Sequence, residues 1–346
     1  MKKTLVIALA GIVAALTACG QSTSTAQTMA ETAATTAATA AEGEKITYSY
    51  CVHTATGWMD EAMDMFNERL QELSGGRIVG KGYSAGTMGT EQELIDAVML
   101  GDMTMSTPVD QFTLPAMGLD DWTSLPGIAT SSEEVQERFT KPDAPLGELL
   151  DEQFQAHGLV RLGGLDNGFR MFATNKDVDS LAAIKGMKVR VSSIEAYVDL
   201  YTNAGMQPTI IDSSEAMSAL QQGTIDAVDN SLVNLANQGY IDMCNKVLAV
   251  NVFAASRSII CNKDWYDALS AEDQALVDQA AQEAAEWCNA QFYEQIDGLY
   301  EDERWTIYEL NDEQKAVFAD AAAKVRAKMC ESMDQDVVAR ILEVIE

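Results

Sequence analysis

Residues 46–83, ITYSYCVHTATGWMDEAMDMFNERLQELSGGRIVGKGY, carry two periods in succession, and the change between them decides the fold. Ile46, Tyr48, Tyr50 and Val52 alternate with Thr47, Ser49 and Cys51, the period of a strand. Met59, Ala62, Met63, Phe66, Leu70 and Leu73 then recur at three and four, which predicts an amphipathic helix stopped by Gly75-Gly76. Residues 77–83 read as a second strand, 91–100 as a helix ended by Gly101, and 103–106 as a third strand. Strand and helix alternate, the order of an α/β fold.

The alternation restarts after Gly168, with strands at 169–174, 187–191, 209–211 and 225–229 and helices at 194–204 and 214–222. A second α/β lobe is expected there. Residues 252–261 read as a further strand, and an Ala-, Gln- and Glu-rich helix runs from Ala271 to about Arg304. Such a helix would be about 45 Å long, enough to lie across both lobes. The expected division is 45–167 plus about 256–295 for lobe I and 168–255 plus about 296–346 for lobe II, with a ligand cleft between them.

Upstream, Lys2 and Lys3 precede an apolar stretch at 5–16 and then Leu16-Thr17-Ala18-Cys19, the layout of a secretory signal peptide covering residues 1–18. The stretch is shorter than the roughly 20 residues that span a bilayer. It resembles the bacterial lipoprotein signal, which implies that Cys19 becomes the acylated first residue of an exported, membrane-anchored protein. Residues 19–44 are mostly Ser, Thr and Ala with no aromatic residue, a composition suited to a flexible tether.

The 53 Asp and Glu against 23 Lys and Arg give a formal net charge of −30, which argues against nucleic acid or anionic lipid as a partner. Cys51, Cys244, Cys261, Cys288 and Cys330 show no CxxC spacing and are expected to be mostly buried thiols. Only His53 and His157 are present, so metal or acid–base chemistry has little to work with, and no cofactor is expected. Gly82-Tyr83-Ser84-Ala85-Gly86 fits the G-x-S-x-G elbow of serine hydrolases, but no helix begins at once after Ser84 and no histidine lies near the chain end. A binding protein without catalysis is the expectation.

The informative residues are cations on otherwise apolar strands. In Met187-Lys188-Val189-Arg190-Val191, Lys188 and Arg190 share one face, either solvated or directed at a ligand. Arg170 sits between Phe169 and Phe172, either stacked on surface rings or functional. Asn230 follows Asp229 and is either a helix cap or a ligand contact.

At this level the chain resembles the extracytoplasmic solute receptors of tripartite ATP-independent periplasmic (TRAP) transporters, of the dicarboxylate-binding P-subunit type. Residues 83–89 with the helix 91–100 resemble the family's Y/F-P-x-G-Q-L-G segment, which removes the elbow reading of Ser84. Residues 185–191 resemble K-G-L-K-I-R-V-P, and 214–230 resemble S-E-V-Y-x-A-L-Q-x-G-x-V-D-G-x-E-N. The resemblance implies a two-lobed periplasmic-binding-protein fold, a small organic acid as ligand, and the two ion-gradient-driven membrane subunits as partners. It places a carboxylate-holding arginine on Arg190, an assisting arginine on Arg170 and a ligand-facing asparagine on Asn230. Ser192, Ser213 and Ser231 depart from the family pattern, so the ligand stays open among C4 dicarboxylates, aromatic acids and sugar acids. A binding lipoprotein for an ABC importer or a sensor is the first alternative, and a secreted serine hydrolase using Ser84 the second.

Overall fold

Ten strands carry the fold among residues 44–53, 57–83 and 86–346, which this computed structural model describes. They are β1 (Ile46–Cys51), β2 (Ile78–Tyr83), β3 (Met105–Ser106), β4 (Leu159–Thr174), β5 (Lys188–Val191), β6 (Gln207–Ile210), β7 (Ala227–Ser231), β8 (Lys246–Ala249), β9 (Ala254–Asn262) and β10 (Thr306–Glu309). Their order is β2-β1-β3-β9-β4-β7-β5-β6, with β8 on β4 and β10 on β8. Within each half the strands that follow the alternating pattern are parallel, β1 with β2 and β3, and β5 with β6 and β7. The two-lobed α/β fold read from the periodicity is the fold observed.

The helix Trp58–Leu73 buries Met59, Ala62, Met63, Phe66 and Leu70, the stripe its spacing predicts. The chain then turns through Gly75 and Gly76, both at positive φ, where a side chain would be strained. The helix Glu91–Leu100 begins in a capping box between Thr90 and Glu93 and ends at a left-handed Gly101. The second helix thus starts where its end residues satisfy backbone groups that the helix itself leaves open, whereas Gly57 offers the first helix no side-chain cap.

β4 is the element the sequence pattern does not show in full. Only 169–174 alternates clearly, yet the strand begins at Leu159 and is 16 residues long. Gly163, Gly164 and Gly168 break the side-chain pattern while pairing with β9 keeps the backbone extended. At Gly163 an added Cβ would lie 3.0 Å from the Ala285 Cβ, so the glycine lets a helix close down on the strand. The first part of β4 pairs with β9, and residues 170–174 pair with β7 on one side, with 172–174 also on β8. One strand therefore belongs to both halves, and its register shifts between Asp166 and Phe169, where it passes from one to the other.

The 30-residue helix Ala271–Tyr300 lies along this junction and ends slightly earlier than its composition suggests. Its buried face is built from Val277, Ala280, Ala281, Ala284, Ala285, Cys288 and Phe292. Asn289 holds the Asp166 backbone N–H at 2.8 Å, and Gln295 exchanges hydrogen bonds with Asn237 in the other half. The chain closes with the helix Asp312–Ser332, whose Phe318 and Val325 fill the second half's core, and the helix Gln335–Ile345, whose Val338 and Ile341 pack with Leu94, Trp122 and Leu150 of the first. Among the described residues no helix is long and apolar enough to cross a membrane. Cys51, Cys244, Cys261 and Cys288 are buried and none of the five described cysteines is in a disulfide. Cys19, the signal and most of the tether lie outside the described residues.

Asp166 sits where β4 changes partners and gives a test of this packing. Burial pushes its pKa up from 3.8 to about 6, although Gly168 N–H and the Tyr293 hydroxyl donate to it at 2.7 and 2.8 Å. The folded state thus holds this proton more tightly than the unfolded chain, so the contribution is present below pH 3.8 and is lost as pH rises through about 6. Asp166→Asn is expected to raise stability by up to about 3 kcal/mol above pH 7 and to change little near pH 4, as read by scanning calorimetry. Equal offsets at the two pH values would contradict the assigned cost of burying this carboxylate.

Candidate functional site

The carboxyl ends of β1 and β3 in one half and of β5 and β7 in the other converge on a polar chamber, the position where open α/β sheets offer a crevice. His53 follows β1, Gln111 follows β3, Ser192 follows β5, and Asn230 stands near the end of β7. Arg170 and Asn167 reach it from β4, and Arg257 from β9. The chamber is about 40 Å³ and opens past Arg190, Ser192 and Ser213 into a depression of about 300 Å³. A larger groove of about 450 Å³ lies elsewhere, between the helix Pro145–Ala156, β4 and the long helix. Of its cations, Arg161 pairs with Asp151 and Lys263 with Asp267, and Lys141 is exposed to solvent, so it offers no comparable buried charge.

Each guanidinium nitrogen of Arg170 has a protein partner. Its guanidinium forms a buried ion pair with Asp229, with Nε at 2.9 Å from Oδ1. Its remaining nitrogens donate to Asn230 Oδ1 and to the Asp229 carbonyl, each at 3.1 Å, and it lies 4.9 Å from the Tyr197 ring centre. Burial works against this charge, but Asp229 and Tyr197 beside it carry its pKa above the ordinary value. Tyr201 donates to the other Asp229 oxygen at 2.7 Å. Arg170 is thus stacked on an aromatic ring, but in the interior.

Arg190 differs. It is 3% exposed, and its only protein partners among the described residues are carbonyl oxygens, Ile211 at 2.7 Å and Asp229 at 3.4 Å. No described Asp or Glu forms an ion pair with it. Burial, with Arg170 alongside, lowers its pKa to about 10. Lys188, on the same face by period, is exposed, so one strand face passes from solvent into the chamber within two residues.

Asn230 is not a helix cap. The helix Leu232–Asn237 is preceded by Ser231, and the Asn230 Oδ1 accepts from the Ser231 N–H at 2.9 Å and from Arg170. The structure adds residues that the sequence reading missed. Arg257 is buried against Glu91 at 3.0 Å and donates to the Thr107 carbonyl at 2.8 Å and to Asn167 at 3.4 Å. A cation on the strand-like run 252–261 was the available signal, the same signal that marks Arg190. Glu91, Gln111 and Asn234 had none. His53 lies in the chamber with Nδ1 3.3 Å from the Gly89 carbonyl, His157 is exposed on another surface, and Ser84 lies outside the described residues. Among the described residues no group of three His, Cys, Asp or Glu is placed to hold a metal ion.

Comparison with known proteins gives the family and the fold. Residues 48–333 match the family model of DctP, bacterial extracellular solute-binding protein, family 7. A solute-binding protein of Verminephrobacter eiseniae is 29% identical over 230 residues, 64% of this chain and 66% of the relative. The C4-dicarboxylate-binding periplasmic protein DctP of Rhodobacter capsulatus is 22% identical over 282 residues, 80% of this chain and 84% of the relative. Among solved structures, a sugar acid binding protein of Advenella mimigardefordensis in complex with galactonate superposes with a TM-score of 0.78 at 19% identity, over 87% of this chain and 98% of that one. A TRAP periplasmic solute binding protein of Pseudomonas putida with bound D-glucuronate gives 0.76 at 23% identity, over 86% and 96%. These structures share the fold.

The Arg170–Asp229 pair predicts a large asymmetry in stability. Arg170→Met leaves Asp229 buried without its counter-ion and is expected to lower the unfolding free energy by about 3–5 kcal/mol in urea titrations. Arg340→Ala, which removes an exposed pair with Glu152, should change it by less than about 1 kcal/mol. Similar small effects for both would contradict the role assigned to the buried pair.

Proposed function

The chain belongs to family 7 of the bacterial extracellular solute-binding proteins, and from that membership we propose that it is a TRAP transporter receptor that holds a small organic acid through Arg190. The observation that carries this reading is a guanidinium buried in a chamber between the two halves and matched only by backbone carbonyls. A buried cation without a carboxylate is unfavourable unless an anion arrives. A ligand carboxylate would meet the planar donor fork of Arg190 with two parallel hydrogen bonds, an arrangement an ammonium lacks. Asn230 and Arg170 border the same space and would orient the acid beside that contact. The relatives that bind a C4 dicarboxylate, galactonate or glucuronate support an acid as the ligand class.

The receptor role requires no bond making. The acid is released unchanged to the membrane subunits of an ion-gradient-driven TRAP transporter, and the halves move about β4 to admit and release it, a recognised hinge mode. Cys19, in the Leu16-Thr17-Ala18-Cys19 context, is proposed as the lipidated residue that keeps the receptor at the outer face of the membrane.

Two outcomes are expected. Arg190→Ala should weaken binding of the best acid from a thermal-shift screen by roughly 30-fold to several thousand-fold in titration calorimetry, the equivalent of about 2–5 kcal/mol. Arg190→Lys should also bind poorly. Less than a threefold change for a folded Arg190→Ala protein would remove Arg190 from the site. Separately, Cys19→Ala should release the protein from cells or block its processing, and full retention of a mature-length variant would contradict the anchor.

A further inference from the structure

Resting on the reading of Arg190 as the carboxylate anchor, we infer that Gln111 and Asn234 set the ligand class: a monocarboxylate bearing hydroxyl or N–H donors, and not a dicarboxylate. The first ground is charge. The chamber contains three guanidiniums, Arg170, Arg190 and Arg257, and two of them are paired, with Asp229 and Glu91. One unmatched positive charge remains, enough for one carboxylate. A second carboxylate drawn into the chamber beside the first would lack a counter-ion, a penalty that disfavours dicarboxylates.

The second ground is the direction of two buried amides. Arg170 donates to Asn230 Oδ1 and so does the Ser231 N–H, which fixes that atom as an oxygen. Asn234 turns its Nδ2 to this oxygen at 3.4 Å and to Asn167 Oδ1 at 3.0 Å, and the latter is fixed in turn by Arg257. The Asn234 oxygen is therefore the atom left over, and it is buried without a partner. Gln111 repeats the pattern: its Nε2 donates to the Ala254 carbonyl at 3.4 Å, and its Oε1 is buried and unpartnered. Both residues line the chamber and both are 2% exposed.

The Asn234 oxygen is held by a network that begins at permanently charged arginines and the Gln111 oxygen by donation of its Nε2 to the Ala254 carbonyl, so neither amide turns round to act as a donor without breaking those bonds. A ligand hydroxyl or N–H satisfies them, whereas a carboxylate oxygen meets acceptor with acceptor. Sites built to bond a ligand hydroxyl reject analogues lacking it far more strongly than apolar pockets reject an extra one.

Four C4 acids separate these requirements in titration calorimetry on the whole protein: threonate has one carboxylate and hydroxyls, butyrate one and none, tartrate two with hydroxyls, succinate two and none. Threonate is expected to bind at least about tenfold tighter than the other three. Succinate or tartrate binding as tightly as threonate overturns this inference and leaves the acid-receptor reading intact. Butyrate equal to threonate overturns the role of the two amides. Absence of binding by every one of these acids and by gluconate, a longer hydroxylated monocarboxylate, overturns this inference, while the receptor reading falls only if the wider thermal-shift screen of acids also finds no ligand. Gln111→Met should lose at least about tenfold in threonate affinity and little for butyrate; equal losses for both would contradict it, and if the variant does not fold the four-acid series decides alone.

Discussion

One buried carboxylate stands beside two guanidiniums and can neutralise only one of them. Asp229, 1% exposed, gives one oxygen to Arg170 and the other to the Tyr201 hydroxyl, while its backbone carbonyl accepts from both arginines. Arg190 is left with carbonyl dipoles alone. Because Arg170 is on β4 and Asp229 on β7, the pair also ties the strand shared by both halves to the second half's sheet, directly below the chamber. Structural cohesion and an unmatched positive charge thus arise from the same three side chains.

The surrounding fold keeps that imbalance from being relieved. Water is limited by a chamber of about 40 Å³, and the strands that carry the arginines are pinned on both edges, β4 by β9 and by β7 with β8, and β5 by β6 and β7. The long helix fixes β4 from behind through Asn289 and Tyr293, which hold Asp166 at the register shift. An arginine on a loop could turn to solvent at little cost; Arg190, on a strand paired on both sides, would lose the bond from its Nε to the Ile211 carbonyl by doing so.

Much of this was legible in the sequence because it rests on periodicity. The β1–helix–β2 stretch, the helix at 91–100 and the long helix follow from apolar spacing and from Gly75, Gly76 and Gly101. Arg190 and Arg170 were visible as cations among apolar strand residues. The remainder depends on contacts distant in sequence. The start of β4 was hidden by glycines whose purpose is to admit the long helix, and Gln111 and Asn234 look like any surface amide until β3, β7 and β9 are assembled around them. Arg257 carried the same signal as Arg190, yet the flanking Ser256 and Ser258 gave its strand a mixed polar character. Those serines face Asp110, each donating to it at 2.6 Å, a pairing that only the fold reveals.

The most direct test is a crystal structure of the whole protein with the tightest-binding acid. The expected complex has a carboxylate with both oxygens in hydrogen-bond reach of the Arg190 guanidinium, Arg170 still on Asp229, and ligand hydroxyl or N–H groups toward Gln111 and Asn234. A carboxylate bound away from Arg190, or Arg190 found paired with a protein carboxylate while the acid sits elsewhere, would contradict it.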